Sequence, residues 1–376
     1  MSLAKRMLDL AARHALRAAG DVEPNPLVGC VIARSEQVLG IGHHRKFGGL
    51  HAEREALASC KRQGYEPRGA SAYVTLEPCN GQGKQPACVD ALLEAGIAHV
   101  VYAVADPNPA KSGGAARLSS HGVSVEYSRE SPLACSLAQP FLRRLATGRP
   151  WVIAKWAQTI DGRVATRTGE SKWISNPRSR ARVHRLRARV DAMLTGMGTI
   201  LSDDPMLNAR DVRRVRRLAR RVVVDSDLDI PPECAIVNTA SEIPTIVACD
   251  QDISSSGITA PRRTMLQDKG VEIIGVRADE RGGIDLGHML ERLSADFGVA
   301  SVLVEAGPRL LGSLMRDDLI DEAVVYIAPL LFGDEMARSS IEGHIVGSLA
   351  GVPRFGVHRV TRVGDDIEVT YRRRFD

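Results

Sequence analysis

Short apolar runs alternate with helix-patterned stretches along the whole chain, and one break interrupts the alternation, at "TGRPW", where Gly148 and Pro150 punctuate it. Strands alternating with helices call for an α/β layer structure with helices covering both sheet faces. The break sets a boundary between two domains, residues 1–147 and 148–376, as a chain of this length leads one to expect. In the first half, residues 4–19 put Met7, Leu10, Ala11, His14 and Ala18 on one helical face,. "VGCVIA", "QVLGIGHH", "SAYVTL", "HVVYAV" and "VSVEY" read as strands, and "HAEREALASCKRQG" and "ACVDALLEAG" as helices closed by Gly64 and Gly96,. The order is α-β-β-α-β-α-β-α-β, followed by a helical stretch near Leu133 to Ala146.

The second half repeats the style with "WVIAKWA", "DAMLTG", "RVVVDS", "TIVAC", "VEIIGV", "SVLVEAG" and "AVVYIA" as buried strands,. "TIDGRVA" carries the Asp-Gly of a tight turn,. Ser175 or Asn176 caps a helix that has Pro177 in its first turn,. The last segment reads as a hairpin, in which Ile367, Val369 and Tyr371 alternate with polar residues as in a half-exposed strand,.

No apolar run reaches the roughly 18 residues of a membrane span. The first 20 residues lack the apolar centre of a signal peptide, so a cytoplasmic location is expected,. Seven widely dispersed cysteines argue against a disulfide framework and fit a reducing compartment,. The net charge of +5 suits phosphorylated small molecules as well as a polyanion,. "RDVRRVRRLARR", Arg210 to Arg221, reads as a solvated, partly helical connection rather than a nucleic-acid patch,.

The chemistry gathers in the first half. His51 and Glu53 form an H-x-E motif at a helix start, Cys79 follows Pro78 after a strand, and Cys88 opens the next helix. One imidazole and two thiolates leave a fourth tetrahedral position open, the composition of a catalytic zinc site. Helix N-termini favour the thiolate form. Glu53, two residues past the histidine, is placed to shuttle the proton of a metal-activated water,. Attack of that water on an amidine-type ring carbon is hydrolytic deamination. Zinc deaminases of nucleobases carry H-x-E followed by P-C-x-x-C, and here eight residues separate the cysteines.

The wider gap resembles the bifunctional deaminase-reductase family of riboflavin biosynthesis. The resemblance runs over nearly the whole chain, through "PNPLVGCVI", "GIGHH", "HAE", "YVTLEPC", "DPNP", "KWAQTIDGRVA", "GESKWIS", "LRARVDAMLTG", "TILSDDPMLNAR" and "VEAGP". It implies an N-terminal cytidine-deaminase-like three-layer domain followed by a dihydrofolate-reductase-like α/β domain. Zinc is then held by His51, Cys79 and Cys88, with Glu53 catalytic. NADPH positions match Ala157, Trp173, Thr199, Asp203 and the turn Gly307, Pro308, Arg309, Leu310, Leu311, Gly312 and Ser313. Substrate positions match Ser171, Arg187, Leu207, Arg210 and Glu305, with Arg187 and Arg210 expected to grip a phosphate. The expected ligand is a phosphorylated pyrimidine; a homo-oligomer is expected, and neither nucleic acid nor membrane.

Departures concern contacts rather than the metal shell. The family commonly has His and Arg within the cysteine loop, where Gly81 and Lys84 stand, and Ala87 replaces a proline. After "DPNP", Lys111 and Ala115 take places usually held by valine and glycine, and Thr159 replaces a serine. "LTGMGTIL" and "VLVEAGPRLLGSL" each run from strand end through a glycine turn to a helix start, presenting backbone N–H groups to an anion,. Neither has the G-x-G-x-x-G spacing of a standard dinucleotide fold. A nucleic-acid-editing zinc deaminase is the alternative; it leaves the second half unexplained. A binding protein with a degenerate site is opposed by the intact ligand set.

Overall fold

The computed structural model describes residues 1–81, 86–343 and 346–374, so Lys84 lies outside the described residues. The chain divides into two compact units, Met1–Thr147 and Gly148–Asp376. In the first, the elements are α1 (Leu3–Ala15), β1 (Gly29–Arg34), β2 (Gln37–His43), α2 (Ala52–Arg62), β3 (Ser71–Val74), α3 (Cys88–Glu94), β4 (His99–Tyr102), α4 (Gly114–Ser120), β5 (Ser124–Tyr127), α5 (Pro132–Leu137) and α6 (Gln139–Thr147). The sheet order is β2-β1-β3-β4-β5. β1 runs antiparallel to β2 and β3, while β3, β4 and β5 are parallel. Alternate residues of β1 serve opposite cores. Cys30 and Ile32 meet Ala52, Ala56 and Leu92 of α2 and α3, whereas Val31 and Ala33 meet Leu8, Ala11 and Ala15 of α1,. This is the three-layer arrangement that the strand–helix alternation implies.

The second unit contains β6 (Trp151–Gln158), β7 (Arg163–Ala165), α7 (Pro177–Arg187), β8 (Ala192–Gly196), α8 (Met197–Asp203), β9 (Arg220–Val224), α9 (Ala235–Asn238), β10 (Thr245–Asp250), α10 (Gln251–Ser255), α11 (Ala260–Asp268), β11 (Val271–Val276), α12 (Leu286–Phe297), β12 (Ser301–Val304), α13 (Pro308–Arg316), β13 (Glu322–Ile327), β14 (Arg338–Ser339), β15 (Phe355–Val363) and β16 (Asp366–Arg373). Its main sheet has the order β11-β10-β9-β8-β12-β6-β13-β16-β15. Strands from β11 to β13 are parallel, and the β15–β16 hairpin adds antiparallel to β13. Asn176 caps α7, its side chain accepting from Ser179 N at 3.0 Å.

Two expectations change. The hairpin alternation is inverted in β16: Asp366, Glu368 and Thr370 are buried along with Val369, and Ile367 is exposed. Each buried acid has partners. Asp366 accepts from Asn176 N and Ser179 Oγ at 2.9 and 2.6 Å. Glu368 accepts from Tyr326 Oη at 2.8 Å and pairs with Arg182 and Arg359. Pairing makes burial of a carboxylate tolerable, and periodicity alone does not register it. The arginine-rich segment also forms no helix; Arg213 and Arg214 are exposed, and Arg221 enters β9 fully buried. The Arg221 guanidinium donates to the hydroxyls of Thr239 and Thr245 and to the carbonyls of Ile236 and Ile243. No carboxylate is among those partners, and burial draws its pKa down to about 10.

Candidate functional site

In the first unit, His51 is the N-cap of α2, Cys79 follows β3, and Cys88 is the first residue of α3. Their ligand atoms all lie within 4.8 Å of one another. His51 Nδ1 is 3.5 Å from Cys79 Sγ and 3.3 Å from Cys88 Sγ, and Cys88 N–H donates to Cys79 Sγ at 3.4 Å. The Cys79 thiol, bonded by Cys88 and His51, ionises far more readily than an ordinary thiol. The bond to Cys79 and burial push Cys88 the other way. Two adjoining thiols beside an imidazole nitrogen make up a zinc-binding donor set,. All seven cysteines are free.

Glu53 sits in the first turn of α2 and is only 3% exposed. Burial, then the neighbouring Cys79 thiolate, raises its pKa above the usual carboxylate range. Both Glu53 and His51 line a cavity of about 300 Å³, together with Asn25, His44, Glu77 and Lys111. Sequence reasoning gave no role to Asn25 or His44, although both lie in quoted motifs. His44 donates through Nδ1 to Leu50 O at 2.9 Å, which leaves Nε2 to accept from Asn25 Nδ2 at 3.1 Å. Its ring stands edge-on to that of His51, 5.5 Å between centroids.

In the second unit, β8, β12 and β6 lie side by side and parallel. At their C-terminal ends Arg187 of α7 forms a fork with Glu305, Nε to Oε1 at 2.7 Å and Nη2 to Oε2 at 2.9 Å. Nη1 donates to Asn208 O at 3.1 Å. Lys155 Nζ lies 3.8 Å from Glu305 Oε2. Burial works against the Glu305 carboxylate, but Arg187 and Lys155 outweigh it and lower its pKa. Lys155 was only a motif residue in the sequence; its half-buried place beside Glu305 is what singles it out. Arg210 is exposed, joined to this group through its backbone N–H to His184 Nδ1 at 3.3 Å.

The proposed cofactor positions are not alike. Gly196 ends β8 and caps α8, and Gly307, three residues past the adjacent β12, caps α13, so two helix starts stand together,. Gly198 and Gly307 face open space, which leaves room for an anionic cofactor at this edge. Trp173 is 65% exposed, stacked 4.5 Å from the Arg180 guanidinium, so it is not a core residue. Asp203 pairs with Lys172 at 3.0 Å. Ala157 and Thr199 are half-buried, and Ser171 is exposed. The Leu207 and Leu311 side chains pack in the hydrophobic cores, and Gly312 lies so close to the backbone at Glu342 that a Cβ there would stand 1.7 Å from Glu342 O. Thr159 supplies the hydroxyl expected of serine: it donates to Asp161 Oδ1 at 2.6 Å and accepts from Arg163 N at 2.9 Å.

Residues 1–104 match the family model "Cytidine and deoxycytidylate deaminase zinc-binding region", and residues 150–369 match "RibD C-terminal domain". Fold and site together define a zinc-dependent deaminase carried on one chain with a reductase. Over 370 residues the chain is 34% identical to the riboflavin biosynthesis protein RibD of Aquifex aeolicus, covering 98% of each. It is 36% identical to RibD of Escherichia coli, covering 95% of this chain and 96% of that one. The structure of Acinetobacter baumannii RibD, form 1, superposes with a TM-score of 0.79 at 33% identity, covering 99% of each chain. A deaminase/reductase structure from Thermotoga maritima does so at 0.80 with 28% identity, covering 98% of each. The chain belongs to the RibD family and carries the deaminase and NADPH-dependent reductase activities of riboflavin biosynthesis.

Proposed function

We propose that the first unit hydrolytically removes the 2-amino group of 2,5-diamino-6-ribosylamino-4(3H)-pyrimidinone 5′-phosphate, and that the second then reduces the ribosyl group of the product to ribityl. The observation that carries this reading is the convergence of the His51, Cys79 and Cys88 ligand atoms within 4.8 Å of one another, at a cavity lined by His51, Cys79 and the buried Glu53. His51, Cys79 and Cys88 would hold zinc, which supplies a water acidic enough to react near neutral pH. Glu53 takes a proton from the attacking water and passes it to ring nitrogen, then takes the second proton from the adduct's hydroxyl and passes it to the amine that leaves as ammonia; a raised pKa suits both transfers,. Asn25 and His44 form the fixed polar wall against which the pyrimidine ring is oriented.

In the second unit Ala157, Trp173, Thr199, Asp203 and the start of α13 receive NADPH, which supplies the hydride. Ser171, Arg210 and the backbone around Leu207 take the substrate, with Glu305 and Lys155 facing its sugar. Arg187 holds Glu305 in place, because its guanidinium already has three bonds within the protein. Arg210 is left as the phosphate reader. A cavity of about 300 Å³ supports a small-molecule substrate rather than nucleic acid,. Free cysteines throughout support a cytoplasmic setting,. Exposed Val357, Val360 and Ile367 on the β15–β16 hairpin support a homo-oligomer,. Incubating the zinc-loaded protein with the diaminopyrimidine phosphate tests the reading. Ammonia should appear without NADPH, and NADPH should be consumed only once deaminated product exists. NADPH consumption ahead of ammonia would reverse the order of steps and overturn it.

A further inference from the structure

Two departures from the family pattern, Gly81 and Lys111, meet in space. Pro107 to Gly114 lies backbone against backbone on the segment between the zinc ligands. Asn80 N–H donates to Lys111 O at 2.9 Å. A Cβ at Gly81 would stand 2.0 Å from Ala110 O, and one at Gly114 would stand 1.8 Å from Pro78 O. Contact this close leaves no room for a side chain at position 81, where the family has histidine. Lys111 crosses the gap instead, and its Nζ donates to Gly81 O at 3.2 Å. An ammonium has three donors, so two remain.

The cavity needs what those donors offer. Its lining includes the acids Glu53, Glu77 and Asp106, and among the described residues Lys111 is the one Lys or Arg. Glu77 is committed to the loop itself, its carboxylate accepting from Asp106 N at 3.1 Å and Ala115 N at 2.9 Å. Asp106 accepts from Asn108 N at 3.0 Å. A dianionic substrate entering among these carboxylates requires an opposing charge at the wall. Lys111 forms no ion pair within 4.0 Å among the described residues, and its charge acts on Asp106 and His51 of the same wall only at longer range.

We infer that Lys111 binds the substrate's 5′-phosphate in the deaminase pocket, in place of a side chain that Gly81 cannot carry. The inference rests on the proposed deamination and adds the residue that sets its preference for a phosphorylated substrate. A lysine serves here as a point charge, so Lys111→Arg should substitute for it in part.

The test compares wild type, Lys111→Met and Lys111→Arg as zinc-loaded full-length proteins, each with the phosphorylated and the dephosphorylated diaminopyrimidine. Lys111→Met should raise KM for the phosphorylated substrate about 10- to 100-fold, with kcat nearly kept. It should change the dephosphorylated reaction less than about threefold and retain zinc at the wild-type level. Inorganic phosphate should inhibit wild type competitively and Lys111→Met much more weakly. Equal losses on both substrates would assign Lys111 a purely structural role and overturn the inference, as would an unchanged KM. Failure of wild type to release ammonia from either substrate would instead overturn the deaminase reading itself.

Discussion

The metal centre of the first unit and the charged cluster of the second hold their polar groups in opposite ways. At His51, Cys79 and Cys88 the donors crowd together with an unmet demand for positive charge, so the site is completed only by a cation. At Arg187, Glu305 and Lys155 the charges already answer one another. A group with an unmet demand is a binder. A group whose demand is met inside the protein is a positioner, and breaking it exposes its partner. Arg187 and Arg210 illustrate the difference within one unit, since the first is locked in a fork and the second stands exposed.

The largest expected effect is at the metal centre. Cys88→Ala should take zinc from one per chain to near zero by elemental analysis and abolish ammonia release. Reduction of the already deaminated intermediate should continue. Stoichiometric zinc in that variant would mean the donor set is wrong. Next comes Arg187→Met, which leaves the half-buried Glu305 with only Lys155 as partner. Removing one member of a fully buried pair costs about 3–5 kcal/mol; this half-buried pair should cost less, about 1–3 kcal/mol, and denaturant unfolding should register it. Reductase kcat/KM should fall by a similar factor on phosphorylated and dephosphorylated intermediates. Arg210→Ala should do the reverse, with stability unchanged within about 0.5 kcal/mol. Its reductase kcat/KM should drop roughly 10- to 100-fold on the phosphorylated intermediate alone. If the two arginine variants behave alike, the distinction between binder and positioner fails.

Much of the metal centre was legible in the sequence, because its ligands sit at helix starts and strand ends, where chain order and spacing fix geometry. His51, Cys79 and Cys88 belong to short motifs whose residue types have little other reason to coincide. The parallel strands were legible too, as runs such as "RVVV" and "TIVAC" bury both faces,. The charged cluster was less so. Arg187 and Arg210 look equivalent in a string of arginines, and only the fork to Glu305, 118 positions away, separates them. Arg221 reads as one more surface charge until its threonine and carbonyl partners surround it. β16 misleads for the same reason, since Glu368 is buried by partners on α7 and β13 that no local pattern contains. Lys111 was visible as a departure, but its meaning required the contact with Gly81.

The central claim is that a buried carboxylate moves protons beside a metal it does not hold. Glu53→Gln tests it most directly, because the amide keeps the shape and removes the base. Zinc content, ammonia release and reduction of the deaminated intermediate should be measured on one preparation. The account predicts full zinc, unchanged reduction and deamination lowered at least about 10²-fold. Full zinc with deamination at the wild-type rate would contradict it.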